Sequence, residues 1–86
     1  YREVANALAG IRTLGVARAT LQIGVKALQD AATLSRRRYD AGLASYLEIL
    51  NADQDLFDQR ILLAETQGAE LRAYVELYRA LGGGWQ

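Results

Sequence analysis

The chain contains no cysteine, proline, histidine or methionine, only one tryptophan and one phenylalanine, and ten basic residues that cancel ten acidic ones. Each absence closes a class. Without cysteine or histidine there is no disulfide framework, no zinc site of the usual spacing, and no thiol or imidazole to act as nucleophile or general base. Cysteine absence by itself is compatible with any compartment. A formal charge of zero, with no aromatic residues interleaved among Arg36, Arg37 and Arg38, argues against a nucleic-acid footprint. No apolar run approaches the roughly 18 residues of a membrane-spanning helix, and no signal-peptide or lipidation motif occurs in these residues. Asp53, Asp55 and Asp58 lack the fifth-position acid and the turn glycine of a calcium loop and lie inside a helical repeat. Gly82-Gly83-Gly84 lacks the Lys-Ser/Thr of a phosphate loop. No catalytic residue, metal ligand or cofactor site emerges.

What is present is a repeat of seven. Val4, Ile11, Arg18, Val25, Ala32 and Tyr39 form one row, and Ala7, Leu14, Leu21, Leu28 and Ser35 a second, offset by three. Further along, Leu43, Leu50, Phe57, Ala64, Leu71 and Tyr78 recur at seven, with Leu47, Gln54, Ile61, Gly68 and Val75 four behind. A period of 3.5 sustained in this way is the pattern of supercoiled helices, and strand alternation appears nowhere.

Between the arrays lies Tyr39-Asp40-Ala41-Gly42-Leu43-Ala44-Ser45-Tyr46-Leu47. Three arginines sit where the dipole of a preceding helix is negative, and Gly42 can adopt the left-handed conformation that ends a helix. Ser45 followed by Glu48 reads as a capping box opening the next helix. The chain is therefore predicted to be all-α, an antiparallel two-helix coiled-coil hairpin. Its helices run over about 2–40 and 45–81, each about 55–60 Å long at 1.5 Å per residue. Residues 1–86 form one unit, with a flexible tail over 82–86.

Two helices do not use up the apolar surface. Ile49, Leu56, Leu63 and Leu77 make a further row beside the main stripe of the second helix, and contiguous exposed apolar surface marks an interface. The hairpin alone is expected to self-associate into a helical bundle. Gly10, Gly15, Gly24 and Gly68 are either weak helix positions or places of close helix approach. Because the chain opens at Tyr1 inside a helical pattern, it is expected to be a segment of a longer protein.

The run Arg38-Tyr39-Asp40-Ala41-Gly42-Leu43-Ala44-Ser45-Tyr46-Leu47-Glu48-Ile49-Leu50-Asn51-Ala52, with Leu56-Phe57 and the ending Leu77-Tyr78-Arg79-Ala80-Leu81-Gly82-Gly83-Gly84-Trp85, resembles the C-terminal part of the outer membrane efflux protein (TolC-like) family. It is most similar to the lipoprotein branch serving resistance-nodulation-division pumps. The resemblance implies a homotrimeric channel in the outer membrane of a Gram-negative bacterium. This segment would belong to the periplasmic α-helical barrel, as part of a long descending helix, the tip turn and the returning helix. It also implies two partners, a periplasmic adaptor protein and an inner-membrane pump, acting together in drug export.

Carried over residue by residue, Ala41, Gly42 and Leu43 occupy the place of the family's adaptor-docking turn. A purely structural reading stands beside this: Gly42 as helix cap and Leu43 as the first core position of the second helix. Family channels close through a tyrosine before the turn, an arginine just after the glycine, and acids on the ascending helix. Tyr39 matches the tyrosine and Glu48 one acid, while Ala44 stands in the arginine's place and Asn51 in that of the other acid. Tyr39, Glu48 and Asn51 are thus candidate constriction residues, with Glu48 alternatively only the partner of Ser45. The competing reading of the whole is a coiled-coil oligomerisation or stalk module with no channel.

Overall fold

The computed structural model describes residues 2–82, which form helix α1, Arg2–Asp40, and helix α2, Tyr46–Gly82, joined by a turn at 41–45. The helices lie antiparallel in a rod of 66 × 17 × 12 Å. Among the described residues there is no strand, and no helix is long and apolar enough to cross a membrane. The expected helix boundaries are met to within one residue. Gly82, assigned in the sequence to the flexible tail, closes α2, and residues 83–86 lie outside the described range.

Local chemistry favours these two elements. Nothing in either interior removes a backbone donor, and the ends carry charges of the stabilising sign: Glu3 and Glu48 in first turns, Arg37, Arg38 and Arg79 in last turns. Pairs one turn apart add small increments on the exposed faces, as in Lys26–Asp30 at 2.9 Å and Gln54–Asp58 at 2.8 Å.

The seam of α1 is the one the sequence predicts. Val4, Ala7, Ile11, Leu14, Arg18, Leu21, Val25 and Leu28 are half-buried, and Ala32 and Ser35 are buried; only Tyr39, at the end of the row, is exposed. On α2 the expectation fails. Leu43, Leu50, Phe57, Ala64, Leu71 and Tyr78, with Leu47, Gln54, Ile61 and Val75, face outward, whereas the supposed flanking row Ile49, Leu56, Leu63 and Leu77 turns toward α1 together with Ala52, Gln59, Thr66, Ala73 and Ala80. The seam is displaced by about one residue, or roughly 100° around the helix.

Two features of α1 explain that choice. Its seam carries small residues, so α2 can present long polar side chains into the spaces they leave: a Cβ on Gly24 would lie 3.2 Å from the Gln59 amide nitrogen, and one on Gly15 3.7 Å from a Glu70 carboxylate oxygen. Gly10 and Gly68 meet no residue of the opposite helix in this way, so close approach accounts for only two of the four glycines. The second feature is charge. Arg18, Arg36 and Arg38 find Glu70, Asp53 and Glu48, and all three acids lie on the side of α2 that the adopted phase turns inward.

The accessible surface is 6489 Å², whereas a compact globular chain of 9.5 kDa would expose about 5,000 Å². Of the seventeen exposed large hydrophobic side chains among the described residues, eleven lie on α2. The hairpin therefore carries an unpartnered apolar face on its second helix.

Gly24→Ala is expected to leave thermal stability unchanged or higher. The helix gains about 1 kcal/mol of propensity, and the Gln59 amide can swing away. Gly42→Ala is expected to cost about 1–2 kcal/mol, because its backbone is left-handed. Circular-dichroism melts of both variants check the pair; equal shifts would contradict the seam and turn assignments together.

Candidate functional site at the hairpin tip

The turn is built from the end of α1. The Gly42 amide donates to the Tyr39 carbonyl at 2.9 Å and the Leu43 amide to the Arg38 carbonyl at 2.8 Å, the bond pair of a Schellman motif. Gly42 sits at φ 75°, where glycine avoids the steric cost that a Cβ would bring. The reversal predicted at this residue is thus realised, and Ala41, Gly42 and Leu43 are all exposed at its apex.

Side chains then brace the turn. Arg38 Nη2 donates to the Leu43 carbonyl at 3.3 Å, while Arg38 Nε lies 3.3 Å from Glu48 Oε1 in the first turn of α2. Behind them, Arg36 Nη2 donates to Asp53 Oδ2 at 2.8 Å. Tyr39 meets Tyr46 edge to face, with ring centroids 5.7 Å apart at 68°, a favourable aromatic geometry. The predicted capping box does not form as drawn. The Glu48 amide bonds the Ser45 backbone carbonyl at 3.1 Å, and the Glu48 carboxylate pairs with Arg38 instead of reaching back. The guanidinium offers a charged partner, which outcompetes a neutral backbone amide for the carboxylate.

Among the candidate constriction residues, Tyr39 and Glu48 sit on opposite sides of the turn, each engaged across it, and Asn51 lies exposed one turn further along α2. The sequence reading overlooked Arg38 and Tyr46 as structural elements of the tip. It also passed over the seam pair Arg18–Glu70, where Nε stands 2.7 Å from Oε1 and the acid is only 14% exposed. A signal for that pair existed: Arg18 interrupts an apolar row, and Glu70 is the missing member between Leu63 and Leu77.

Among the described residues no cluster of acidic side chains has the arrangement of a metal site. A groove of about 460 Å³ lies at the far end, floored by small residues such as Ala7 and Gly10 of α1 and Ala73 and Ala80 of α2 and rimmed by Glu3, Glu76 and Arg79. The tip itself can present a fixed apolar surface, with Leu43 68%, Leu47 63% and Tyr46 57% exposed.

Residues 1–83 match the sequence profile of the family described as outer membrane efflux protein. The chain belongs to that family. It is 38% identical over 85 residues, 99% of this chain, to the solvent efflux pump outer membrane protein SrpC of Pseudomonas putida. It is likewise 38% identical over 86 residues to the cation efflux system protein CusC of Escherichia coli, and 35% identical over 85 residues to the outer membrane protein OprJ of Pseudomonas aeruginosa. The chain spans only 18% to 19% of the length of these relatives. No solved structure gives a significant match.

The seam pair yields a test. Glu70→Leu leaves Arg18 without its charged partner, only the 3.2 Å bond to Gln22 remaining, and is expected to cost about 1–2 kcal/mol, whereas the double variant with Arg18→Leu should recover most of it. A double-mutant cycle in denaturant measures the coupling. A coupling energy near zero would show that the pair contributes nothing to the seam.

Proposed function

We propose that this hairpin is the periplasmic tip of a homotrimeric outer-membrane efflux channel, contributing to the helical tunnel and docking a periplasmic adaptor that links it to an inner-membrane pump. The observation that carries the reading is the exposed turn at Ala41, Gly42 and Leu43, fixed by backbone bonds rather than by packing, in a chain of the outer membrane efflux family. The outward face of α2 supports the tunnel half, since Leu47, Leu50, Phe57, Ile61 and Leu71 require neighbouring helices to cover them. Such a role involves no chemical step on the substrate and no cofactor.

The relatives bear on what the segment contributes. It is equally similar, at 38%, to a protein named for solvent efflux and to one named for cation efflux. Cargoes so different share no recognition chemistry, so we assign the hairpin to assembly and docking rather than to cargo selection. Tyr39, Glu48 and Asn51 are proposed to narrow the tunnel near its end. With Ala44 where an arginine link would stand, closure would rely on tyrosine packing and on the Glu48 carboxylates, each drawn toward Arg38.

The competing reading, a stalk module that only oligomerises, draws on the same outward apolar face. The parent gene separates the two: the family resemblance implies a second copy of the hairpin motif and alternating strand segments, and a parent with neither would overturn the channel reading. Replacing Gly42 and Leu43 with Asp in the full-length protein is expected to abolish efflux while trimers still form. Retained efflux would overturn the docking assignment.

The 86-residue chain alone is expected to associate through the α2 face into dimers or larger bundles. Sedimentation equilibrium at high micromolar concentration reads this directly, and a folded monomer would contradict it.

A further inference from the structure

Arg38 holds the apex residue Leu43 by both of its backbone groups. The Arg38 carbonyl accepts from the Leu43 amide at 2.8 Å, and the Arg38 guanidinium donates to the Leu43 carbonyl at 3.3 Å. The same guanidinium reaches Glu48 on α2 at 3.3 Å, so one side chain joins the end of α1, the apex and the start of α2. Apart from the Gly42–Tyr39 backbone bond and the Tyr39–Tyr46 contact, little else fixes that apex. Leu43 is 68% exposed, and space within 4 Å of a Cβ on Gly42 is empty.

We propose that Arg38 is a positioning residue for docking: it holds Leu43 in the orientation in which the apex meets its protein partner, so that the loop is ordered before contact. The proposal rests on the docking reading above. A surface loop that must be ordered on binding weakens affinity by the entropy lost, and a loop already ordered avoids that loss. The arginine fork suits the task, because its planar donors serve two acceptors in different directions, whereas a lysine ammonium on its flexible stem is a point charge without that preset geometry.

A simpler role for Arg38 is compensation of the α1 dipole, which Arg37 in the same turn also serves. Lysine would fill that role equally well. Arg36 provides a second contrast, since its 2.8 Å bond to Asp53 also crosses the hairpin but lies away from the apex.

The experiment uses the full-length protein in detergent with the variants Arg38→Ala, Arg38→Lys, Arg36→Ala and Leu43→Asp. Amide hydrogen exchange is followed over 42–46, and affinity is measured for the purified periplasmic adaptor encoded with the channel. Arg38→Ala is expected to speed exchange at 42–46 roughly fivefold, with seam residues 14–28 unchanged, and to weaken adaptor binding by roughly threefold to tenfold. Arg38→Lys should resemble Arg38→Ala, and Arg36→Ala should leave both readouts at wild-type values. Wild-type exchange in Arg38→Ala, or wild-type behaviour of Arg38→Lys, would overturn the clamp. Faster exchange with undiminished affinity would overturn its role in docking. Should Leu43→Asp bind the adaptor as tightly as wild type, the docking reading itself falls, and exchange alone then judges the clamp.

Discussion

Two helices laid side by side touch along one stripe each, and every other feature of this hairpin follows from how little that stripe can bury. The rod is 66 Å long, yet only Ala32, Ser35 and Ile49 among the described residues are buried. A helix is about 10 Å across, so most of each circumference remains open whatever the phase of contact. Burial cannot fix the apex, and backbone bonds with an arginine brace do so instead. Nor does burial select the register unaided.

Register is specified by polar residues placed where apolar ones would pack as well. Arg18 with Glu70, Arg36 with Asp53 and Arg38 with Glu48 are spread from mid-helix to the turn, so a one-residue slip would separate all three at once. Arg36–Asp53 and Arg38–Glu48 are solvent-exposed and add little net stability, whereas Arg18–Glu70 is partly buried, and there an unpaired member is costly. The effect of the Arg18–Glu70 pair is to penalise the wrong alignments more than to stabilise the right one. The outer apolar row is thereby kept free for other contacts.

Both helices, the reversal at Gly42 and the family itself were legible in the sequence, because a seven-residue period, a glycine after three arginines and two separated motifs each have a direct physical or familial meaning. The phase of α2 was not. Leu50, Phe57 and Leu71 form a more apolar row than Ile49, Leu56, Leu63 and Glu70, and ranking rows by hydrophobicity selects the wrong one. Hydrophobicity identifies surface that must be covered, without saying whether the partner is the other arm of the hairpin or a helix outside it. The capping box failed for a related reason. Ser45 and Glu48 satisfy the local pattern, but Arg38 competes for the carboxylate from a helix that local pattern does not see. The turn residues Ala41, Gly42 and Leu43 could be picked out because glycine marks the turn, whereas the constriction roles proposed for Tyr39, Glu48 and Asn51 would involve further copies of the chain and have no signature within one hairpin.

A hairpin that leaves a row of large apolar side chains outward on its second helix has consequences for the order of events during synthesis. Most contacts are made within each helix and the arms can pair outward from the turn, so the hairpin can form quickly, but that pairing leaves the α2 face in water. While that face is uncovered, the segment is folded and adhesive at once, the state in which chains misassociate or are held by chaperones. Any partner that covers that face binds the folded hairpin and not the unfolded chain, and so would stabilise the fold by mass action.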